Sequence, residues 1–337
     1  LAKVRNAYTT YSAQGNREDL SAKIYNIDPF DTPIFNSSAR RNVTNRGFDW
    51  QVEKLPSPNG DNARQEGFEL DRSPSTPTIR LNNVCQISSR DATVSGSQEA
   101  ADAAGRPSEM GAQMALNGKA LKRDMEIILS SAQAMNRGDD ADNPTPRRTR
   151  GLIHWLRTNA FVPVKDGTPV GALPASEVDP YPVIADADRV EFTESMLQTV
   201  MARCYDKGAE PRLIVLPPLL KQTFSTFRGR DTTQVLVGQR EVAATVDVYV
   251  SDFGRVKALP SRWLDKGTAL FLDPAYLAVA YYRTLRQTPI AKIGDAETRL
   301  MLAEWGVEMR NEAAHGVIVG LKGAANVNSD LITTQVA

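Results

Sequence analysis

The sequence predicts an α+β protein of stretched outline. Three observations predict it: one long helix with a narrow apolar seam, a hairpin whose connecting loop has no periodicity, and a late strand apolar on both faces. Between that helix and that strand lies a denser run of short helices and strands, enough for a compact α/β unit.

Residues 1–42 are polar and irregular. They hold one short helical candidate, REDLSAKIYN, and then IDPFDTPIF, where each X-Pro step disfavours helix in the residue before it. This is an arm. Residues 43–90 read as an extended β-hairpin. In RGFDWQVEKL, Phe48, Trp50 and Val52 alternate with Asp49, Gln51 and Glu53, the period of a strand with one buried face, and TIRLNNVCQI is the returning strand. The connection, PSPNGDNARQEGFELDRSPSTP, carries four Pro and two Gly. A structureless loop of that length inside a compact domain argues that it works outside the domain.

Residues 91–192 form the next region, organised by a helix over 107–137 that would run about 45 Å. Met114, Gly118, Leu121, Met125, Ile128, Ala132 and Met135 recur in steps of four and three and make a single seam; Lys119, Lys122, Arg123 and Glu126 lie off it. Pro107 at the first helical position and Gly138 just past the end frame the segment. Lys122 and Glu126, one turn apart, are placed to pair at about 0.2–0.5 kcal/mol. Seven of the chain's 20 prolines fall in residues 139–190, which therefore read as surface loops with GLIHWL as a buried anchor.

Residues 193–285 predict the compact α/β unit. TESMLQTVMARCYDKG is a helix with Thr193 as N-cap and Gly208 past its end, LIVLP a buried strand, and PLLKQTFSTFRG a helix opened by Pro. VDVYVSDFGRVKAL is a hairpin turning at Gly254, and ALFLD and LAVAYY are further strands. In 286–337 the dominant feature is a strand over about 297–310, within GDAETRLMLAEWGVEMRNEAAHGVI. Helix and strand side by side would make a thin wedge.

Composition narrows the function. The chain has 337 residues, 41% of them hydrophobic, enough for a real core. Forty Lys and Arg balance forty Asp and Glu, so no overall field draws it to nucleic acid or an anionic membrane. The longest apolar runs, LIVLPPLL and AYLAVAYY, fall far short of the roughly 20 residues of a membrane-spanning helix. The first residues lack the order of a secretory signal, and Leu1 in place of Met predicts a trimmed or incomplete start. Cys85 and Cys204 make neither a disulfide framework nor a zinc site and suit a reducing cytoplasm.

No catalytic or cofactor signature is found. NGKALK has Gln113 where a phosphate loop needs its first Gly and Ala120 after the Lys. DDADN lacks the central Gly and terminal Glu of a calcium loop. His154 and His315 have no metal-ligand spacing. Glu304, Glu308 and Glu312 remain acid-base candidates only because such pairs leave no local signature; a charged edge facing solvent or a neighbour is the favoured reading. Phe48, Trp50 and Phe68 lack the interleaved Lys and Arg of a single-strand groove, Arg46 apart, and strand packing explains them better.

Five separated blocks carry a resemblance: GNREDLSAKIYNIDPFDTPIF at 15–35, FDWQVEKL with the later EG at 66–67, NNVCQIS followed by VSGS, KALKRDMEIIL, and GDAETRLMLAEWGVEMRNEAAHGVI. In content and order they resemble the major capsid proteins of tailed bacteriophages, which have the Hong Kong 97-like capsid fold shared with encapsulins. The resemblance implies hexamers and pentamers forming an icosahedral head around double-stranded DNA, in the virion after assembly in the host bacterial cytoplasm. It implies no enzyme activity and no cofactor, with portal, scaffold and decoration proteins as further partners. In that scheme 91–192 and 286–337 form the peripheral subdomain around the spine helix, and 193–285 the axial subdomain at each capsomer centre. The arm, the loop at 56–78 and the spine meet neighbouring subunits, which makes Arg17, Glu18, Asp19, Arg64, Glu66, Phe68, Arg72, Lys119, Lys122, Arg123 and Glu126 the subunit-contact candidates. Some relatives lock the shell with a bond from a loop Lys to a neighbour's Asn; residues 56–78 contain no Lys, the nearest being Lys54, so non-covalent assembly is expected. Two alternatives stay open: an encapsulin-type shell around an enzyme cargo, and a small soluble enzyme using carboxylates between its subdomains.

Overall fold

The long strand near the C-terminus organises the architecture. The computed structural model of the chain describes residues 29, 31–53, 55–69, 77–101, 106–139, 144–174, 176, 179, 184–227, 248–292 and 294–323. Within them a short helix α1 (Pro33–Ser37) leads into strand β1 (Ala39–Asn42) and then the ribbon β2 (Gly47–Val52) and β3 (Ile79–Val84). Strand β4 (Gln86–Ser95), helix α2 (Gly96–Ala100), helix α3 (Glu109–Leu129) and helix α4 (Leu152–Trp155) follow. Next come the short strands β5 (Ala160–Phe161), β6 (Val164–Lys165) and β7 (Thr168–Pro169), then helix α5 (Glu194–Asp206), strand β8 (Leu213–Leu216) and helix α6 (Pro218–Ser225). Strands β9 (Val248–Ser251), β10 (Gly254–Pro260), β11 (Ala269–Leu272), β12 (Leu277–Pro289), β13 (Ala296–Met309) and β14 (Gly316–Ile318) complete the series.

Two sheets carry the fold among the described residues. The first has the order β1-β12-β13-β4, with β13 antiparallel to both neighbours and β1 parallel to β12. The second has the order β5-β14-β11-β8-β10-β9. The expected strand over 297–310 is β13. Its second half, Ala303 to Met309, is buried on both faces, which is why its sequence shows no alternation. The expected LAVAYY strand is the start of β12 and lies in the first sheet, paired to β13 over most of its length. Leu277 to Ala280 are buried on both faces, so the start of this strand shows no alternation. The second sheet instead recruits β5 and β14 from outside 193–285.

The helix expected over 107–137 is shorter at both ends. Helix α3 spans Glu109–Leu129, a rise of about 31 Å for its 21 residues. Ser108 is the N-cap and its Oγ accepts from Gly111 N at 3.1 Å. At the other end Ser130 and Ser131 turn their hydroxyls onto the carbonyls of Glu126 (2.9 Å) and Ile128 (2.7 Å), competing with continued helix. The chain then runs antiparallel beside 148–151: Asn136 exchanges backbone hydrogen bonds with Arg148, and Gly151 N donates to Gln133 O at 2.9 Å. Ala132 and Met135 still face the core from this extended segment, so the apolar spacing outlasts the helix. Gly138, at φ +68°, takes the turn after it.

Side chains from both sheets, α3 and α4 merge into one core that includes Leu129, Leu152, Trp155, Val215, Leu272, Trp305 and Val307. The other face of the second sheet is closed by α5 and α6 through Leu197, Met201, Cys204, Leu220 and Phe224. Toward its N-terminus α3 rests, among the described residues, on a small apolar cluster in which Met110 and Met114 pack with Ala92, Val94 and Met301, while Glu99 accepts from Met110 N at 3.0 Å and Asn117 donates to Asp91 O at 2.9 Å. Its opposite side leaves Leu116, Lys119, Lys122 and Ile127 exposed.

Candidate subunit-interaction elements

The ribbon of β2 and β3 projects a loop that touches little of its own chain. Every described residue from 55 to 69 is exposed, with Leu55 at 94% and Phe68 at 52%. Local order comes from a turn in which Phe68 N donates to Gln65 O at 3.1 Å, with Gly67 at φ +83° in the position that requires a positive φ in a type II turn. The guanidinium of Arg64 lies 5.8 Å from the centroid of the Phe68 ring. Glu66 sits in the turn and is exposed. Arg72 lies outside the described residues, as do Arg17, Glu18 and Asp19 of the arm.

At its base the ribbon is fixed to the body. Phe48 stacks on Trp50 at 5.8 Å, and Trp50 meets Trp155 of α4 at 5.4 Å. Asn83 of β3, 1% exposed, donates from Nδ2 to Val307 O at 2.7 Å and accepts at Oδ1 from Arg150 N at 3.0 Å. Arg80 and Asp49 form an exposed ion pair across the ribbon. Phe48 and Trp50 are packing residues, as their alternation implied, whereas Phe68 lies exposed in the loop and does not pack in a strand.

Helix α3 holds the arm by its main chain. Glu126 is fully buried, and its two carboxylate oxygens accept from Ile34 N at 2.9 Å and Phe35 N at 2.7 Å at the start of α1. This corrects the expectation that Glu126 lies off the seam and pairs with Lys122. Burial without a cation pushes the carboxyl up to about 7, and the two N–H donors pull in the opposite direction. Arg123 donates to Pro29 O at 3.3 Å and lies over the Trp263 ring, and Trp263 Nε1 donates to Asp31 O at 2.7 Å. Lys119 and Lys122 are exposed on the outer side of α3. Of the candidates, Arg64, Glu66 and Phe68 thus share the loop, and Arg123 and Glu126 share the arm's anchor.

The carboxylates of β13 are structural. Glu304, 2% exposed, accepts from Arg147 at 2.6 Å and Arg283 at 2.7 Å; Glu308, 3% exposed, accepts from Arg41 at 2.6 Å and Arg310 at 3.3 Å. They are buried and paired, which corrects the reading of a charged edge facing solvent or a neighbour. Glu312 accepts from Arg157 N at 3.0 Å and from the Thr158 hydroxyl. The histidines serve separate contacts. His154 Nδ1 accepts from Arg150 Nε at 2.9 Å, whereas His315 Nδ1 accepts from Asp273 N at 3.2 Å and is pushed down to about 4 by burial. No group of three or more His, Cys, Asp or Glu among the described residues could hold a metal ion.

A projecting loop on a fixed base, a half-covered spine helix and an arm held by its backbone define a subunit of the tailed-phage capsid class, with the Hong Kong 97-like fold. Solved structures share that fold. A chain of the Cyanophage A-1(L) capsid is 10% identical, covers 93% of this chain and 98% of its own, with a TM-score of 0.60. One from Mycobacterium phage Ogopogo is 14% identical over 93% of this chain and 99% of its own, at 0.57. The chain belongs to the SU10 major capsid protein family, whose profile matches residues 5–322. Among curated relatives, the major capsid protein of Escherichia phage Phieco32 is 25% identical over 343 residues, covering 94% of this chain and 97% of the relative.

Proposed function

We propose that this subunit tiles an icosahedral phage head as hexamers and pentamers around double-stranded DNA, with its loop and arm laid over neighbouring copies. The observation that carries this reading is the loop. Residues 55–69 are exposed throughout, including large apolar groups, while the ribbon that bears them is locked into the core. An extended segment adds interface area without needing a core of its own, and a stable interface buries about 1,600 Å² in total. Head-to-tail contacts between identical tiles close into rings.

On this reading the α3 and long-sheet body is the peripheral subdomain, and the six-stranded sheet with α5 and α6 is the axial subdomain at capsomer centres. The protein works as a structural element without catalysis. Portal, scaffold and decoration proteins are its further partners, and assembly takes place in the host bacterial cytoplasm. The test is to replace residues 56–78 with a short Gly-Ser turn and examine the product by electron microscopy. The variant subunit should unfold cooperatively and form no closed shells, and normal particles would overturn the role given to the loop. Nuclease-protected DNA inside wild-type particles separates a phage head from a shell loaded with protein cargo.

A further inference from the structure

We infer that Asn59 is a self-modifying residue of the projecting loop: in the unassembled subunit the main-chain nitrogen of Gly60 closes on its side-chain amide carbon, and the residue turns into aspartate or isoaspartate with time. The chain contains two Asn-Gly steps, Asn59-Gly60 and Asn117-Gly118. A glycine after asparagine puts no Cβ beside the attacking nitrogen and gives the backbone the freedom to bring it to Cγ. The dipeptide is the same at both places, and the fold treats the two oppositely.

Asn59 and Gly60 are both exposed. Among the described residues nothing accepts from Gly60 N, so no hydrogen bond within the chain has to break before it reacts. Asn59 Oδ1 accepts from Asp61 N at 3.0 Å. Negative charge gathers on that oxygen when Cγ is attacked, and a donor already aimed at it stabilises the tetrahedral intermediate. A Cβ on Gly60 would meet nothing within 4 Å, and its φ is not positive, so the fold itself does not require glycine here. Asn117-Gly118 lies inside α3. There Asn117 Nδ2 donates to Asp91 O at 2.9 Å, the Gly118 N–H belongs to the helix ladder, and a Cβ on Gly118 would stand 3.6 Å from the end of Met301. Reaction at that step waits for the helix to open locally.

The chemistry balances with water as the only co-reactant. Gly60 N gives its proton to solvent and forms a bond to Asn59 Cγ. The carbonyl electron pair moves onto Oδ1 and returns as the bond from Cγ to Nδ2 breaks, and ammonia leaves with a proton from solvent. Water then opens the cyclic imide. Opening at Cγ gives aspartate; opening at the main-chain carbonyl gives isoaspartate, whose main chain runs through Cγ and is longer by a methylene. Either product adds a negative charge to a loop that already holds Asp61, Glu66 and Glu69 against Arg64.

The experiment incubates the full-length unassembled subunit at mildly alkaline pH and follows its peptides by mass spectrometry, which reads the exchange of NH2 for OH. Asn59 should convert at least about tenfold faster than Asn117, the ratio set by an opening cost of about 1.4 kcal/mol in α3. In urea, with α3 unfolded, Asn117 should rise to the rate of Asn59. Gly60→Ala, which the loop accommodates, should slow conversion of Asn59 by about tenfold. A native Asn59 that converts no faster than native Asn117, or about tenfold slower than in urea, overturns the inference, as does an unchanged rate in Gly60→Ala. The consequence for shells rests on the loop reaching a neighbouring copy: aged wild type should lose closed particles in step with conversion, and aged Gly60→Ala should keep them. Full conversion with normal particles would instead remove the loop's role and leave the modified site standing.

Discussion

Glu126 gives a prediction with a sign and a size. The perturbation is Glu126→Gln combined with pH, read by urea unfolding of the unassembled subunit between pH 4 and 8. The buried carboxyl is pushed from 4.5 to about 7, chiefly by loss of water, so between those values the folded chain keeps a proton that the unfolded chain has released. Wild-type stability from this group is therefore fully present below pH 4.5, falls as pH rises toward 7, and is level above it. The interval of 4.5 to about 7 corresponds to about 3 kcal/mol. The glutamine has no charge to bury. It keeps an oxygen for one of the Ile34 and Phe35 N–H groups and sets an amide N–H against the other, a pH-independent loss of about 1–3 kcal/mol. Taking the difference between variant and wild type cancels the other carboxylates. The glutamine variant should gain on wild type by about 3 kcal/mol from pH 4 to pH 8. A constant difference across the range, or one that moves in the opposite direction, would refute the reasoning, because the two hydrogen bonds would then outweigh the desolvation.

The remaining predictions concern the ion pairs and the assembled shell. Replacing both Arg147 and Arg283 with Leu leaves the Glu304 carboxylate buried without a cation and should destabilise the subunit by about 3–5 kcal/mol, measured by denaturant unfolding. Each single change should account for less than half of that, since the other arginine still holds the carboxylate, and simple additivity would contradict the arrangement. Residues 56–78 contain no Lys, so particles heated in denaturing gel buffer should run as single chains; a ladder of covalent multimers would contradict non-covalent assembly.

Much of the outline was legible because it follows from local rules. Alternation in GFDWQV fixed β2 and its buried face, Thr193 and Gly208 bounded α5, and Gly254 turned the hairpin of β9 and β10. The Pro-rich, aperiodic composition of the loop marked it as external, and its described residues 55–69 are exposed. What local pattern could not supply were the terms set by distant partners. The apolar spacing of α3 continues through Ala132 and Met135, but the backbone leaves the helix at Ser130 because residues 148–151 offer it an alternative ladder. Glu126, Glu304 and Glu308 look like surface residues until α1 supplies two N–H groups to the first and arginines from elsewhere in the chain supply charge to the others. Gly306 reads as an ordinary glycine in a strand; only the crossing of the ribbon over β13 makes its hydrogen the one substituent that fits. The sequence by itself determined α5, α6, most of the strands and the exposed loop, since those depend on neighbours a few residues away; it read residues 33–42 as an irregular arm where α1 and β1 form, and carried α3 past its end at Leu129. Tertiary structure alone decided which polar groups are buried, because that depends on atoms folding brings together from distant segments, Glu126 with Ile34 and Phe35, Glu304 with Arg147 and Glu308 with Arg41.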